Sequence, residues 1–204
     1  FYFLFIGIKY FRKLSRIPVE KKLYSTVKIP MKTRIAFILT YKNALKKKNI
    51  RSIKLGLGGN KIRTVAYFLP EKEKFSRLAI NYLKNLNKHN LEIKLICRSS
   101  VSELYNLSIN HSELFISDRQ LNRFGLPHSS TKYKMNQFIG DAAVDLNPEF
   151  DPVHGILMQT MNSPLKIGFE SKWSQKIFTI TLTANNQGFI EKQYSQINQL
   201  LGIQ

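Results

Sequence analysis

A single cysteine, Cys97, is all the thiol this chain has. One thiol excludes an intramolecular disulfide and leaves no cysteine cluster for zinc. It suits a reducing, cytosolic setting. At the end of an expected strand, Cys97 reads as a small buried apolar residue. Long apolar runs are missing too. The opening stretch "FYFLFIGIKYF" has eight residues before Lys9, whereas a helix that crosses a bilayer needs about 20. Its positive charges follow the apolar run and no small-residue cleavage site comes after it, so it does not fit a signal peptide. There is no G-x-S-x-G elbow, and serine-hydrolase chemistry has no anchor. Neither an internal repeat nor a low-complexity tract is present.

Acid is the other scarcity. The chain holds 13 Asp and Glu against 32 Lys and Arg, for a net charge of +19. The imbalance is local. Residues 1–61 hold 16 of the basic residues and one acid, Glu20, giving +15; residues 62–204 carry the remaining +4. This divides the chain into a basic, partly apolar N-terminal arm (1–61) and a near-neutral domain (62–204). Hydrophobic residues make up 43% of the chain, enough for a sizeable core. A basic arm suits polyanions such as RNA, the ribosome or an anionic membrane face; a solvated basic helix with no specific partner is the plain alternative.

Three readings of the first residues stay open. Residues 1–11 are the end of a membrane segment with Arg12, Lys13 and Arg16 as its cytoplasmic flank, or an interfacial helix with its aromatics at headgroup level, or, if Met31 is the start, not part of the protein. From Met31, "RIAFILTYKNALKKKN" places Ile35, Ile38, Leu39 and Leu45 near helical spacing. "LGLGGNK" (55–61) then breaks the pattern. A phosphate loop follows a strand and opens a helix, whereas this segment precedes the first convincing strand, so it reads as a linker turn.

Strand and helix alternate from there. Strands are expected over 62–69, 91–97, 111–117, within 137–147, and over 165–169 and 176–182. Helices are expected over 71–90, where Phe75, Leu78, Ala79, Tyr82, Leu83 and Leu86 share one face, over 152–162, and over 188–203. Glu71 and Glu73 fall in the first turn of the 71–90 helix and Lys88 and His89 in its last, as the helix dipole favours. Continuous apolar strands between helices predict a three-layer α/β domain, Rossmann-like or flavodoxin-like, with a mostly parallel sheet.

Chemistry is densest in "GDAAVDLNPEFDPVHGILMQTMNSPLKIGF" (140–169). Asp145, Asn147, Glu149, Asp151 and His154 fall at the carboxyl end of an expected strand, where parallel sheets bind ligands. Asp145, Glu149, Asp151 and His154 are therefore the candidate catalytic residues, since carboxylates can do acid/base work and a carboxylate–histidine cluster can bind metal. Their spacing fits no metal-ligand motif, and no metal or cofactor is expected. A purely structural reading also accounts for them: Asp145 or Asn147 ends the strand, Pro148 breaks it, and Asp151 caps a helix that begins at Pro152 with His154 in its first turn. "RFGLPHSSTKYK" (123–134) reads as a basic loop, and His111 and His128 as exposed loop residues.

The 140–169 stretch resembles a pattern in an uncharacterised Bacteroidota family of small Rossmann-like proteins. In that family a strand ending in an acidic residue, a helix over "sALSkAkFKvG" and a short strand occur in this order. "FISDRQLNRFGLP" (115–127) is similar to that family's "F-x-K-K-D-x-N-W-F-G-K-P", with Asn122, Phe124, Gly125 and Pro127 matching and Arg123 in place of Trp. The likeness covers about residues 40–203 and implies the fold and the basic arm, but no catalytic residue. More distantly, Lys166, Gly168 and Phe169 resemble a "K-x-G-F" strand in the amino-terminal half of heptosyltransferase-type glycosyltransferases. Their donor sugar nucleotide is bound mainly by a second domain, which these 204 residues do not include.

The function expected is that of a non-enzymatic α/β adaptor docked by its arm. Arg34, Lys42, Lys46, Lys47, Lys48, Arg51, Lys54 and Lys61 would meet RNA or ribosome phosphates, or anionic lipid. The placement expected is cytoplasmic or peripheral to the inner membrane, and the edge strands leave a homodimer open. The alternative is a glycosyltransferase-like enzyme, or a degenerate half-domain, binding a nucleotide-sugar or other phosphorylated ligand at the strand-end carboxylates.

Overall fold

A computed structural model describes residues 29–45, 62–86, 91–183 and 190–203, with backbone alone over 41–45. Helix α1 (Met31–Leu45) comes first, then β1 (Thr64–Phe68), α2 (Glu73–Leu86), β2 (Glu92–Arg98) and β3 (His111–Ile116). Next are α3 (Ser129–Asn136), β4 (Ala142–Asp145), α4 (Pro152–Thr160), β5 (Leu165–Phe169), a single turn α5 (Ser174–Ile177), β6 (Ile180–Leu182) and α6 (Ile190–Leu201). All six strands are parallel and lie in the order β3-β2-β1-β4-β5-β6. This is the expected α/β domain with helices on both faces of the sheet. Among the described residues, no helix is long and apolar enough to cross a membrane.

The strands are apolar on both sides because both sides are covered. Val65, Tyr67, Leu95, Val144 and Ile167 point to one face, where α2 and α6 bring Tyr82, Leu83, Tyr194 and Ile197. Ala66, Phe68, Ile96 and Ala143 point to the other. There α4 supplies Ile156, Leu157 and Met158, α3 supplies Met135, and α1 supplies Phe37. Phe37 is 1% exposed, and its ring meets Phe150 at 5.3 Å and Trp173 at 5.4 Å, both edge-on. The first half of α1 is thus tied to the domain by one aromatic anchor.

Three local expectations are corrected. Residues 129–136 form α3 rather than continuing a loop. Only Thr131 and Met135 of that helix are buried, one turn apart, so too few apolar residues mark its period. The 176–182 stretch is split between α5 and a three-residue β6, with the Phe178 ring between them packed against Gly168. His111 opens β3 rather than lying free in a loop, and its ring bonds to the Ile109 carbonyl at 2.6 Å and Glu113 at 2.7 Å. His128, by contrast, is exposed. The "LGLGGNK" turn, residues 1–28, Lys88 and His89 lie outside the described residues.

Gly168 is a site of close approach. A Cβ there would fall within the Phe178 ring. Gly168→Ala is expected to destabilise the fold by about 1–3 kcal/mol through overpacking, read as a lower urea midpoint with an unchanged slope. The double variant Gly168→Ala/Phe178→Leu should recover part of the loss.

Candidate functional site at the carboxyl edge of the sheet

The chain reverses its strand order between β1 and β4, so the crevice of a doubly wound sheet should open beyond Phe68 and Asp145. The structure brings the four candidate residues together there and uses each of them locally. The Asp145 carboxylate accepts the Asn147 N–H at 3.0 Å, and the Asn147 side chain accepts the Glu149 N–H at 3.1 Å. Asp151 accepts the Val153 N–H at 2.7 Å and so caps α4, with Pro152 in the first turn. These short side chains turn the backbone every second residue and seat the start of the helix.

Asp145 and His154 are buried, and His154 Nδ1 lies 3.1 Å from Asp145 Oδ1. His154 Nε2 is 3.8 Å from Asp151 Oδ2 and has no hydrogen-bond partner among the described residues. The imidazole also packs 5.3 Å from the Phe68 ring. Burial works to push His154 down, but Asp151 and Asp145 outweigh it and hold the imidazole up to about 9. Burial raises the Asp145 carboxyl while the His154 charge opposes that rise. The arrangement sets the imidazole between two acidic side chains, with one of them in hydrogen-bond contact.

Several contacts link the loops around this pair. The loop after β1 and the loop after β4 are joined by the Lys72–Glu149 ion pair. Tyr105 donates to the Pro70 carbonyl at 2.6 Å, Ser76 donates to the same oxygen at 2.9 Å, and Tyr194 donates to the Leu146 carbonyl at 2.6 Å. No glycine follows β1, where "FLPEKEKF" stands, so the turn lacks the close backbone approach that a dinucleotide pyrophosphate needs. Among the described residues, no group of three or more His, Cys, Asp or Glu is placed to hold a metal ion.

A cavity of about 520 Å³ lies to one side, beyond β2 and β3, lined by Ser99, Ser100, Ile116, Ser117, Asp118 and Arg119. At its margin Arg98 is held by Glu71 at 2.9 Å and faces Asp118 at 3.8 Å, with one buried guanidinium nitrogen lacking a partner among the described residues. Sequence reasoning missed this corner, because Arg98 and Glu71 are 27 positions apart and share no motif. Burial pushes the Cys97 thiol up to about 12, with Glu113 and Glu71 adding to the rise, so it is no nucleophile at neutral pH.

The "NRFGLP" segment is a built turn. Asn122 Oδ1 accepts the N–H groups of Phe124 (2.9 Å) and Leu126 (3.2 Å), Gly125 takes φ +70°, and Pro127 bridges to Leu121. Arg123 lies over Phe124 at 4.8 Å. Of the basic arm residues, Arg34 is exposed on α1 and Lys42 belongs to that helix. Lys46, Lys47, Lys48, Arg51, Lys54 and Lys61 lie outside the described residues.

No family model matches the chain, and no curated protein matches it. Among solved structures, it is similar to a glycosyl transferase family 9 protein from Veillonella parvula, with 14% identity and a TM-score of 0.49. That match covers 70% of this chain and 42% of the other. The chain is also similar to the mitochondrial 2-enoyl thioester reductase Etr1p/Etr2p heterodimer from Candida tropicalis, at 12% identity and a TM-score of 0.36, covering 94% of this chain and 54% of that one. The chain thus spans about half the length of either protein. The resemblance to glycosyltransferase family 9 is structural, distant and of low identity.

The His154 charge makes a testable contribution to stability. Its folded value lies above the ordinary one near 6.5, so the contribution is complete below about pH 6 and is lost as pH rises through about 9. His154→Gln should flatten this part of the pH profile. Denaturant unfolding of both proteins between pH 6 and 9.5 should show their stability difference shrink by a few kcal/mol; a constant difference would mean that the imidazole is neutral.

Proposed function

We propose that this chain is a non-enzymatic binding protein whose basic arm docks an α/β domain on a polyanionic surface. The observation that carries the reading is charge segregation: +15 in residues 1–61 against +4 in the rest. The internal use of Asp145, Asp151 and His154 supports it from the other side, because the carboxylates that would serve catalysis already hold backbone N–H groups and, in the case of Asp145, the His154 ring. Arg34, Lys42, Lys46, Lys47, Lys48, Arg51, Lys54 and Lys61 supply the cations. The shared ligand chemistry is a closely spaced array of phosphates, available on RNA and ribosomes or on anionic lipid.

One observation favours a second reading. The Arg98 corner and its cavity sit on the carboxyl edge of the sheet, the edge on which such folds hold phosphorylated ligands. A degenerate half-domain binding a nucleotide-sugar would use that edge. Under this reading the double variant Asp145→Asn/Asp151→Asn loses binding of a nucleotide-sugar in calorimetry while remaining folded. Under the first reading it loses stability alone.

The docking reading is tested by co-sedimentation of the full chain with anionic vesicles and, separately, with ribosomes or total RNA. Binding to one of them should fall steeply with salt. Replacing Lys46, Lys47 and Lys48 by Gln should weaken it by about tenfold or more. Absence of binding to every surface at low salt would remove the reading.

A further inference from the structure

Resting on the docking reading, we infer that the polyanion is an anionic membrane surface and that α1 lies in its interface, with Met31, Ile35 and Leu39 turned to the lipid. The helix has two faces. Phe37 faces the domain and is 1% exposed, and Thr33 and Ala36 beside it are half-buried. Met31, Ile35 and Leu39 recur at every fourth residue and are 78%, 50% and 59% exposed. They form one stripe on the side away from Phe37. Lys32 and Arg34 are both exposed. At 100° per residue they fall on opposite flanks of that stripe.

Single exposed apolar residues are ordinary on protein surfaces. A row of three on a helix already anchored through its other face is different, because it contributes nothing to the core it borders. Cations on both sides of an exposed apolar row would let that row meet acyl chains while Lys32 and Arg34 meet anionic headgroups. At 15 residues, α1 is about 22 Å long, too short to span the hydrocarbon layer.

The chemistry of the stripe separates the candidate surfaces. Nucleic acid is held by cations, hydrogen-bond donors and aromatic rings on which bases stack. An aliphatic Met–Ile–Leu row offers neither hydrogen bonds nor a ring face, so burying it against RNA gains little. Acyl chains would bury it. A second copy of this chain is disfavoured by charge, since a two-fold contact through α1 would bring together two arms of +15 each.

The test is flotation of the full chain with vesicles of phosphatidylcholine alone, or with a quarter phosphatidylglycerol, beside a parallel assay with total RNA. The wild type should float with the anionic vesicles and not with the neutral ones. Met31→Gln/Ile35→Gln/Leu39→Gln should lower vesicle partition by about tenfold or more, with an unchanged unfolding midpoint and no change in RNA retention. Ile35→Trp keeps the test independent of any folding defect in the triple variant: its emission should shift to the blue on anionic vesicles and not on RNA. Flotation of the triple variant at the wild-type level would overturn the inference. Salt-sensitive RNA binding without vesicle binding would overturn it and leave the docking reading standing. Binding to neither surface would remove both. A dimer in sedimentation velocity that the triple variant loses, without vesicle binding, would assign the stripe to self-association and overturn the lipid assignment.

Discussion

The contact between Asp145 and His154 couples the end of β4 to the first turn of α4, across the point where the sheet reverses its strand order. Both groups are buried, and neither would be stable there alone. Together with Asp151 they form a polar cluster that also holds the Asn147 and Val153 N–H groups of the loop. The Phe68 ring packs at a tilt against the imidazole from β1, so the two central strands and α4 meet in one cluster. Around that edge the Tyr105 and Tyr194 hydroxyls donate to the loop carbonyls of Pro70 and Leu146, and Lys72 and Glu149 join the two loops.

A doubly wound sheet usually keeps this edge open for its ligand. Here its carboxylates hold backbone N–H groups and the His154 ring, and two buried nitrogens without a hydrogen-bond partner among the described residues remain nearby, His154 Nε2 at the edge itself and one guanidinium nitrogen of Arg98 toward the β2–β3 cavity. The chemical character of the molecule lies instead at its other extreme. Half of the Lys and Arg residues precede Ile62, and the helix that leads from that arm into the domain buries Phe37 while leaving an aliphatic row outside. Domain and arm thus differ in kind, one a packed body close to neutral and the other carrying most of the net charge.

Much of this was legible in the chain. The apolar run "AAVDL" between polar flanks identifies a doubly covered strand, and the face of Phe75, Ala79, Tyr82 and Leu83 identifies its covering helix, because period alone carries both signals. Asp151 before Pro152 reads directly as a cap. Helix α3 was not legible, since two buried residues in eight do not make a period. The capping tyrosines were not legible either, because a hydroxyl 48 residues from its carbonyl leaves no local trace. The matched "N-x-F-G-x-P" residues were visible, but their reason was not: Asn122 bonds two backbone groups and Gly125 takes a left-handed turn.

By itself the sequence determined the class of fold, the succession of its six strands along the chain, the helix cap at Asp151 and the charge divide near residue 61. Each of these is a local property: hydrophobic period, a side chain reaching two residues along, or a count of charges. Only the tertiary structure decided that Asp145 faces His154 instead of solvent, that Lys72 and Glu149 join the loops after β1 and β4, and that Met31, Ile35 and Leu39 share a face turned from the core. Those outcomes depend on which elements meet across the sheet. Burial decides whether a carboxylate is a reagent or a strut, and it is set by distant parts of the chain.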